Sequence, residues 1–393
     1  MSNVKVKIVS SFEGLDDLSN HWSAWQYHPN SDYLHFRQVC KQRKEIVSPY
    51  IIVVEVNDKP CTLLAGRLEN THLAPSIGYL RPVRIRAKVL MLIHQGLLGE
   101  INDNILSVLV VHIQSLLASG EIDAILLNHI SEHSALFEAL NSSGQRLLNE
   151  KTLRWYTHWQ MALQENEGFL LARMRSKHRS WINGRQKLLD SAYAGKIAWR
   201  WITRFDNIPD LCMKLERVAA LTYQRGLGAG FINNQEQQQR FKLFAERGML
   251  RVQLLEINGE VKAYWIGTVY NGIFYSSATG YDPDLKLFEL GTLIFIRMVD
   301  ELVREKVSSI DFGLGDAHYK QRFGDTSYQE TVIILFAANT RGMMLRLSFT
   351  LSAILDKAGR WLLQRLNILD LVKTGWRRHL RPAANENDKQ QKH

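Results

Sequence analysis

The sequence predicts an α/β (α+β) fold built from two similar units, each a central mixed, mostly antiparallel sheet flanked by helices, followed by a basic amphipathic helical tail. Three observations predict it. One order of elements (strand, helix, hairpin, helix, strand, helix, strand) runs through the first 165 residues and recurs in the next 175, with the hairpin text EVNDKP at Glu55 answered by EINGEV at Glu256. Apolar residues make up 46% of the 393, against only 8 prolines, enough for two cores and too many for global disorder. After Thr340 the periodicity turns helical and the charge turns strongly basic.

The elements follow in order. Val6 and Ile8 alternate with lysines in a strand at Lys5–Ser10, and a helix is expected over Leu15–Trp25. Ile51–Val56 and Cys61–Leu68 flank the turn Asn57-Asp58-Lys59-Pro60 as a hairpin. A helix over Asn104–Ala118, a strand at Asp123–Asn128, a helix over Ser131–Leu140 and a strand through Arg154–Leu163 close the first unit. The second repeats the order with a helix over Asp210–Tyr223 and a hairpin of Leu250–Ile257 and Val261–Tyr270 about Asn258-Gly259. A strand at Gly272–Gly280, a helix over Glu289–Glu305, a strand at Ser308–Gly313, a short helix around Tyr319 and a strand at Glu330–Ala337 complete it. The expected boundaries are 1–165 for a degenerate first copy, 166–340 for the second, 341–380 for the helical segment and 381–393 for a disordered tail.

Cys40, Cys61 and Cys212 are widely spaced and form no CxxC pair, which fits a reducing compartment. The N-terminus has no apolar leader, and no run of 18 apolar residues occurs, so a cytoplasmic protein is expected, soluble or peripheral at the inner face of a membrane. Of the net charge of +10, residues beyond Thr340 carry +7, from eleven basic and four acidic side chains. Arg81, Arg84, Arg86 and Lys88 form one internal basic cluster; Arg173, Arg175, Lys177, Arg179, Arg185 and Lys187 form another. Such charge is either a solvated helix face or an anion-seeking surface. Apolar and basic residues share one helix in 341–381, the composition of a peripheral membrane contact. No RNP-type strand, zinc finger or basic strand face supports nucleic acid.

His21, His28 and His35, and likewise His129 and His133, lack carboxylate or cysteine partners at ligand spacing, and no metal is expected. Gly226-Leu227-Gly228-Ala229-Gly230 follows a helix rather than a strand, and so fits a flexible helix exit or flap better than a dinucleotide loop. The more specific text is SSIDFGLGDAHYKQRFG, Ser308–Gly324: a strand ending at Asp311, glycines at 313 and 315 for a sharp turn, then Asp316, Tyr319 and Lys320 around a short helix. Upstream, Gly291 falls in the first turn of a helix, where bare amides suit a pyrophosphate.

These residues carry a resemblance. From about Gly168 to Ala338 the chain resembles the GNAT acyltransferases, in the CelD-like branch linked to cellulose and exopolysaccharide biosynthesis. The pieces are the basic helix at Lys177–Leu188, Arg225-Gly226, the hairpin LLEINGEVKAYWIG, then ATGYDPDLKLFELGTLI, then IDFGLGDAHYKQRFG, close to a DxGxGDxxYKxRFG pattern. The doubled unit is also similar to FemAB-type transferases, which contain two GNAT folds. The resemblance implies acyl-CoA (acetyl-CoA) as co-substrate, lying between two central strands. Its phosphates would rest on the amides of Leu290, Gly291 and Thr292, which stand where the family has a Q/RxxGxG/A loop. Its pantetheine would pair with the strand at Ser276, Ser277, Ala278 and Thr279. Tyr319 would be the general acid that protonates the departing thiolate, the alternative being a tyrosine that only packs. Asp311 or Asp316 would hold the acceptor or serve as base, although Asp316 equally suits a cap of the short helix. Lys320 would meet the cofactor's phosphates or face solvent. The first copy has Phe137 where a tyrosine would fall, and reads as degenerate. The implied acceptor is a small molecule or glycan: a sugar, a polysaccharide precursor or an amine-bearing intermediate. Two alternatives stay open: a FemAB-like transferase using aminoacyl-tRNA, the one setting in which the basic helix at 177–187 would meet nucleic acid, and a degenerate scaffold docked to a membrane-bound synthase through the tail.

Overall fold

Both expected hairpins close on left-handed backbone. Asn57 and Asp58 have φ of 51° and 62°, and Asn258 and Gly259 have 53° and 77°, the two-residue geometry that matches the twist of paired strands. The structure is a computed structural model describing residues 4–78, 80–142, 150–222, 225, 230–315 and 317–365. Asp316, the 226–229 part of the glycine string and the tail beyond Arg365 therefore lie outside the described residues. The chain divides into two compact units, one of residues 1–159, 314–322 and 326–363, the other of 160–313, 323–325 and 364–393.

In the first unit β1 (Val4–Val9), β2 (Ile46–Val56), β3 (Lys59–Leu73) and β4 (Ile85–Gly99) pair antiparallel in succession. Two short helices, α1 (Phe12–Asp17) and α2 (Ser19–Trp25), replace the single helix expected there, and α3 (Tyr33–Gln42) follows. Helix α4 (Asp103–Ser119) crosses over to β5 (Ala124–Ser131), which runs parallel to β4, and α5 (Ala135–Ser142) comes next. The sheet is completed by β6 (Glu150–Ala162) and by a strand from far along the chain, β12 (Thr326–Phe336), antiparallel to β5, in the order β1-β2-β3-β4-β5-β12-β6. The two-residue period of β2 sorts its side chains. Ile51 and Val53 pack with Leu15, Trp22 and Phe36 on one face; Ile52 and Val54 pack with Leu109 and Ile113 of α4 on the other.

A long helix, α12 (Thr340–Arg365), lies on this unit through Leu345 and Phe349, which share a core with Leu73, Ala87, Ile334 and Phe336. Asn339 clamps its start: the side-chain amide donates to the carbonyls of Gly120 (3.2 Å) and Ile122 (3.0 Å), and its Oδ1 accepts from the Gly342 amide at 2.7 Å. A Cβ on Gly342 would stand 2.2 Å from the Ala337 carbonyl oxygen. Gly342→Ala is therefore expected to loosen the helix and cost ~1–3 kcal/mol; unchanged urea denaturation would remove this contact as a constraint.

The second unit contains α6 (Phe169–Arg173), α7 (Ser176–Ala192), β7 (Ile197–Ile202), α8 (Ile208–Leu221), α9 (Gln235–Glu246), β8 (Leu250–Ile257), β9 (Glu260–Tyr270), β10 (Ile273–Tyr281), α10 (Leu290–Arg304) and β11 (Ser309–Leu314). Strands β7 to β10 pair antiparallel in order and β11 joins β10 in parallel. Both units thus repeat three antiparallel pairings followed by one parallel pairing across a helix, the duplication the hairpin texts suggested. Phe295 of α10 packs against Trp265, Phe312 and Phe323, with ring centroids 4.9, 5.8 and 4.5 Å away.

Candidate active site

The parallel pairing of β10 with β11 runs from Ile273↔Ser309 to Tyr275↔Asp311, while β10 continues to Tyr281. At that point β10 bulges. Ser276 faces Gly267 and Ala278 faces Ile266 on β9, leaving Ser277 as the extra residue. A bulge bends its strand and re-aims the residues beyond it, and backbone groups without a ladder partner are ready to pair with a ligand. Gly267 permits the arrangement, because a Cβ there would stand 2.4 Å from Phe274 Cζ. Side chains around the bulge are tied down: Ser276 Oγ accepts from Trp265 Nε1 at 3.0 Å, and Thr279 Oγ1 donates to the Tyr264 carbonyl at 3.0 Å. Four of the expected cofactor residues, Ser276 to Thr279, thus come directly after the pairing that contains Asp311.

The start of α10 has the properties an anion needs. Its N-cap, Glu289, adopts the left-handed conformation (φ 56°, ψ 39°) and makes no side-chain cap, and the first turn holds no acid. The Thr292 amide donates to the Glu289 carbonyl at 2.9 Å, so the helix's first amides, those of Leu290 and Gly291, are the ones an anion would use. Gly291 faces the ring of Tyr281, at the end of β10; a Cβ would stand 3.3 Å from it.

The glycine-rich turn is held by its own side chains. Asp311 is buried, its Oδ1 accepting from the Gly313 amide at 2.7 Å and its Oδ2 from Gln160 Nε2 at 3.2 Å, while Gly313 takes φ 65°. Lys320 is buried as well, and its ammonium donates to the Leu314 carbonyl at 2.5 Å. Tyr319 is half-buried on α11 (His318–Phe323).

Further polar groups lie outside the residues singled out from the sequence. Glu216 of α8 pairs with Arg225 and accepts from the Asn233 amide at 2.8 Å, so one carboxylate holds both sides of the glycine string. Tyr264 is fully buried with no partner for its hydroxyl among the described residues, and burial raises its pKa. A hollow of about 430 Å³ lies instead at the β8–β9 turn, where Lys262 stands 3.1 Å from Glu260 and 3.4 Å from Asp282. It contains none of the expected site residues.

The first unit opens at the equivalent place. Its parallel pairing ends at Leu92↔Leu127; β4 then bulges through residues 93–96, and Gln95 and His129 take φ of 58° and 54°. A cleft of about 240 Å³ results, lined by Tyr27, Leu92, Gln95, His129, His133 and Leu136 among others. Close by, Glu330 is fully buried between two histidines, its Oε1 3.2 Å from His94 Nε2 and 3.4 Å from His158 Nδ1. Burial pushes the Glu330 pKa up, but the hydrogen bonds of His158 and His94 outweigh it and hold the carboxyl at about 2. Burial, with the charge of His94, lowers His129 to about 4. The helix start here is unlike that of α10: Asn102 Oδ1 accepts from the Ile105 amide at 3.0 Å and Asp103 occupies the first turn, so an anion meets a capped, acidic end. Among the described residues no group of three or more His, Cys, Asp or Glu is placed to hold a metal.

Residues 176–321 match the family model of the acetyltransferase (GNAT) domain. A comparison with curated proteins returns no match. Among solved structures the chain is similar to FemX at 10% identity, covering 86% of this chain and all of that one, with a TM-score of 0.54. It is also similar to a tandem GNAT protein from the clavulanic acid biosynthesis pathway (11% identity, 86% and 100% coverage, TM-score 0.48). A third is a conserved protein of unknown function from Bacteroides thetaiotaomicron (13%, 85% and 100%, 0.49). Residues 176–321 thus carry a GNAT acetyltransferase domain, and the chain shares the fold of FemX, with one strand order occurring twice.

Proposed function

We propose that the protein is an acyl-CoA-dependent N- or O-acyltransferase of the CelD-like kind. Its acceptor is a sugar, a polysaccharide precursor or an amine-bearing intermediate of exopolysaccharide or cell-envelope biosynthesis. The contrast between the two helix starts supports this reading: α10 offers uncapped amides, a glycine and no first-turn acid, whereas α4 is capped and acidic. On this reading the second unit takes the donor and the first does not. The amides of Leu290 and Gly291 hold the CoA phosphates, that of Thr292 being engaged by the Glu289 carbonyl, and the strand from Ser276 to Thr279 pairs with the pantetheine. The thioester supplies the activated acyl group. Tyr319 gives its phenolic proton to the departing sulfur, a transfer between groups of similar basicity. Asp311, both of whose oxygens are engaged, keeps the turn in place for the acceptor, and Asp316 is the carboxylate left to take the acceptor's proton. Lys320 supports the same turn through Leu314. The reading also places the protein in the cytoplasm, peripheral to the inner face of a membrane, with no nucleic-acid partner.

Calorimetry with acetyl-CoA tests it. A bare first turn favours an anion by up to ~2 kcal/mol, so Gly291→Asp, which puts a carboxylate there, is expected to weaken acetyl-CoA binding about tenfold. Absence of heat with every acyl-CoA tried would overturn the reading. Aminoacyl-tRNA transfer would then be favoured if the chain bound tRNA, and a non-catalytic scaffold if it bound neither.

A further inference from the structure

We infer that the first unit carries a preformed docking surface for an anionic lipid bilayer, made by α12 together with the loop between β3 and β4. The inference rests on the peripheral placement proposed above but not on the chemistry of acyl transfer. Helix α12 buries one face, through Gly342, Leu345, Phe349 and Ser352, against the unit's own core. At 100° per residue the opposite face carries Met343, Leu347, Leu351, Ile354, Trp361 and Leu362, all exposed, Leu347 at 70% and Trp361 at 58%. From Met343 to Leu362 the stripe is about 28 Å long. Arg341, Arg346, Lys357 and Arg360 are exposed along the same helix, and its single acid, Asp356, is engaged by Arg360 at 2.8 Å and by the Gly78 amide at 2.7 Å.

That last bond ties the loop to the helix. The loop leaves β3 at Leu73 and enters β4 at Ile85, and both side chains pack in the core that holds Leu345 and Phe349. Between them Leu80 and Val83 are exposed (61% and 48%), as are Arg81 and Arg84. Asp356 continues the packed face of Leu345, Phe349 and Ser352, so the loop borders the helix on that side; both segments carry large exposed apolar side chains with cations beside them, and the one acid of the helix is neutralised. A stripe of this size on a soluble surface marks an interaction site. The surplus of cations matches a surface of negative headgroups, into which an amphipathic helix lies parallel to the plane. Among the described residues no helix is long and apolar enough to cross a membrane, so the contact is with one leaflet.

Co-sedimentation of the full chain with vesicles tests the inference. Binding to phosphatidylcholine vesicles that contain phosphatidylglycerol is expected, at least about tenfold above binding to phosphatidylcholine alone. The double variant Leu347→Asp, Leu351→Asp removes the apolar anchor without touching the packed face and is expected to lower binding to background. Arg81→Glu with Arg84→Glu, distant from α12 in sequence, is expected to lower it about tenfold or more. No binding to the anionic vesicles, or full binding by the arginine pair, would overturn the surface as drawn. A dimer in sedimentation velocity that the leucine pair converts to monomer would assign the stripe to a second copy instead. Acetyl-CoA calorimetry on the same variants separates the two proposals, because a chain that loses vesicles and keeps acetyl-CoA loses only this one.

Discussion

Tyr319→Phe is expected to lower turnover about 10²–10⁴-fold, the usual contribution of a placed proton donor, while acetyl-CoA affinity stays nearly unchanged. The ring and its packing survive the substitution; only the phenolic proton is lost. The split matters, because a tyrosine that merely packs would move stability or donor affinity and leave the chemical step alone. Single-turnover rates with saturating acetyl-CoA, set beside calorimetric Kd values, make the comparison. An unaltered rate removes Tyr319 as the acid and turns attention to Tyr264, whose hydroxyl has no partner among the described residues.

Glu330→Ala is expected to cost the first unit ~3–5 kcal/mol, the penalty for taking one partner from a buried charged cluster. Against a typical stability of ~5–15 kcal/mol that is a large share, and urea denaturation reads it directly. The carboxyl sits at about 2 in the folded chain against 4.5 for the unperturbed group. Its stabilisation is therefore fully present above pH 4.5 and fades as the pH falls toward 2. His129, lowered from 6.5 to about 4, acts in the same direction at milder acidity, because the unfolded chain takes up its proton first. Glu330→Gln keeps a hydrogen-bonding group and loses the charge, so it is expected to flatten the acid limb below pH 4.5. An unchanged limb in that variant would show that the loss of stability arises elsewhere.

Both hairpins were legible because their turns are written locally: Asn-Asp and Asn-Gly adopt left-handed backbone more cheaply than other pairs do. The start of α10 was legible for a similar reason, since a glycine in a first turn advertises bare amides. Strand β4 was not read. It carries His94 and Gln95 in an otherwise apolar run, and what makes His94 tolerable inside is Glu330, 236 residues away. Asp311 was legible as a special residue, but only the structure shows both oxygens occupied, by Gly313 and by Gln160, 151 residues upstream. The basic cluster at Arg81–Lys88 looked isolated until the Gly78–Asp356 bond joined its loop to a helix 278 residues later.

The place of β12 has a consequence for synthesis. The first unit's sheet needs Thr326–Phe336 between β5 and β6, yet β5 ends at Ser131. At ~5–20 residues per second, the ribosome makes the missing strand roughly 10–40 s after β5 emerges. During that interval the edge of β5 has no native neighbour and is open to any other strand. The nascent chain would thus be a substrate for holding chaperones until its last strand arrives, and a premature stop before Thr326 would leave both the first sheet and the seat of α12 unfinished.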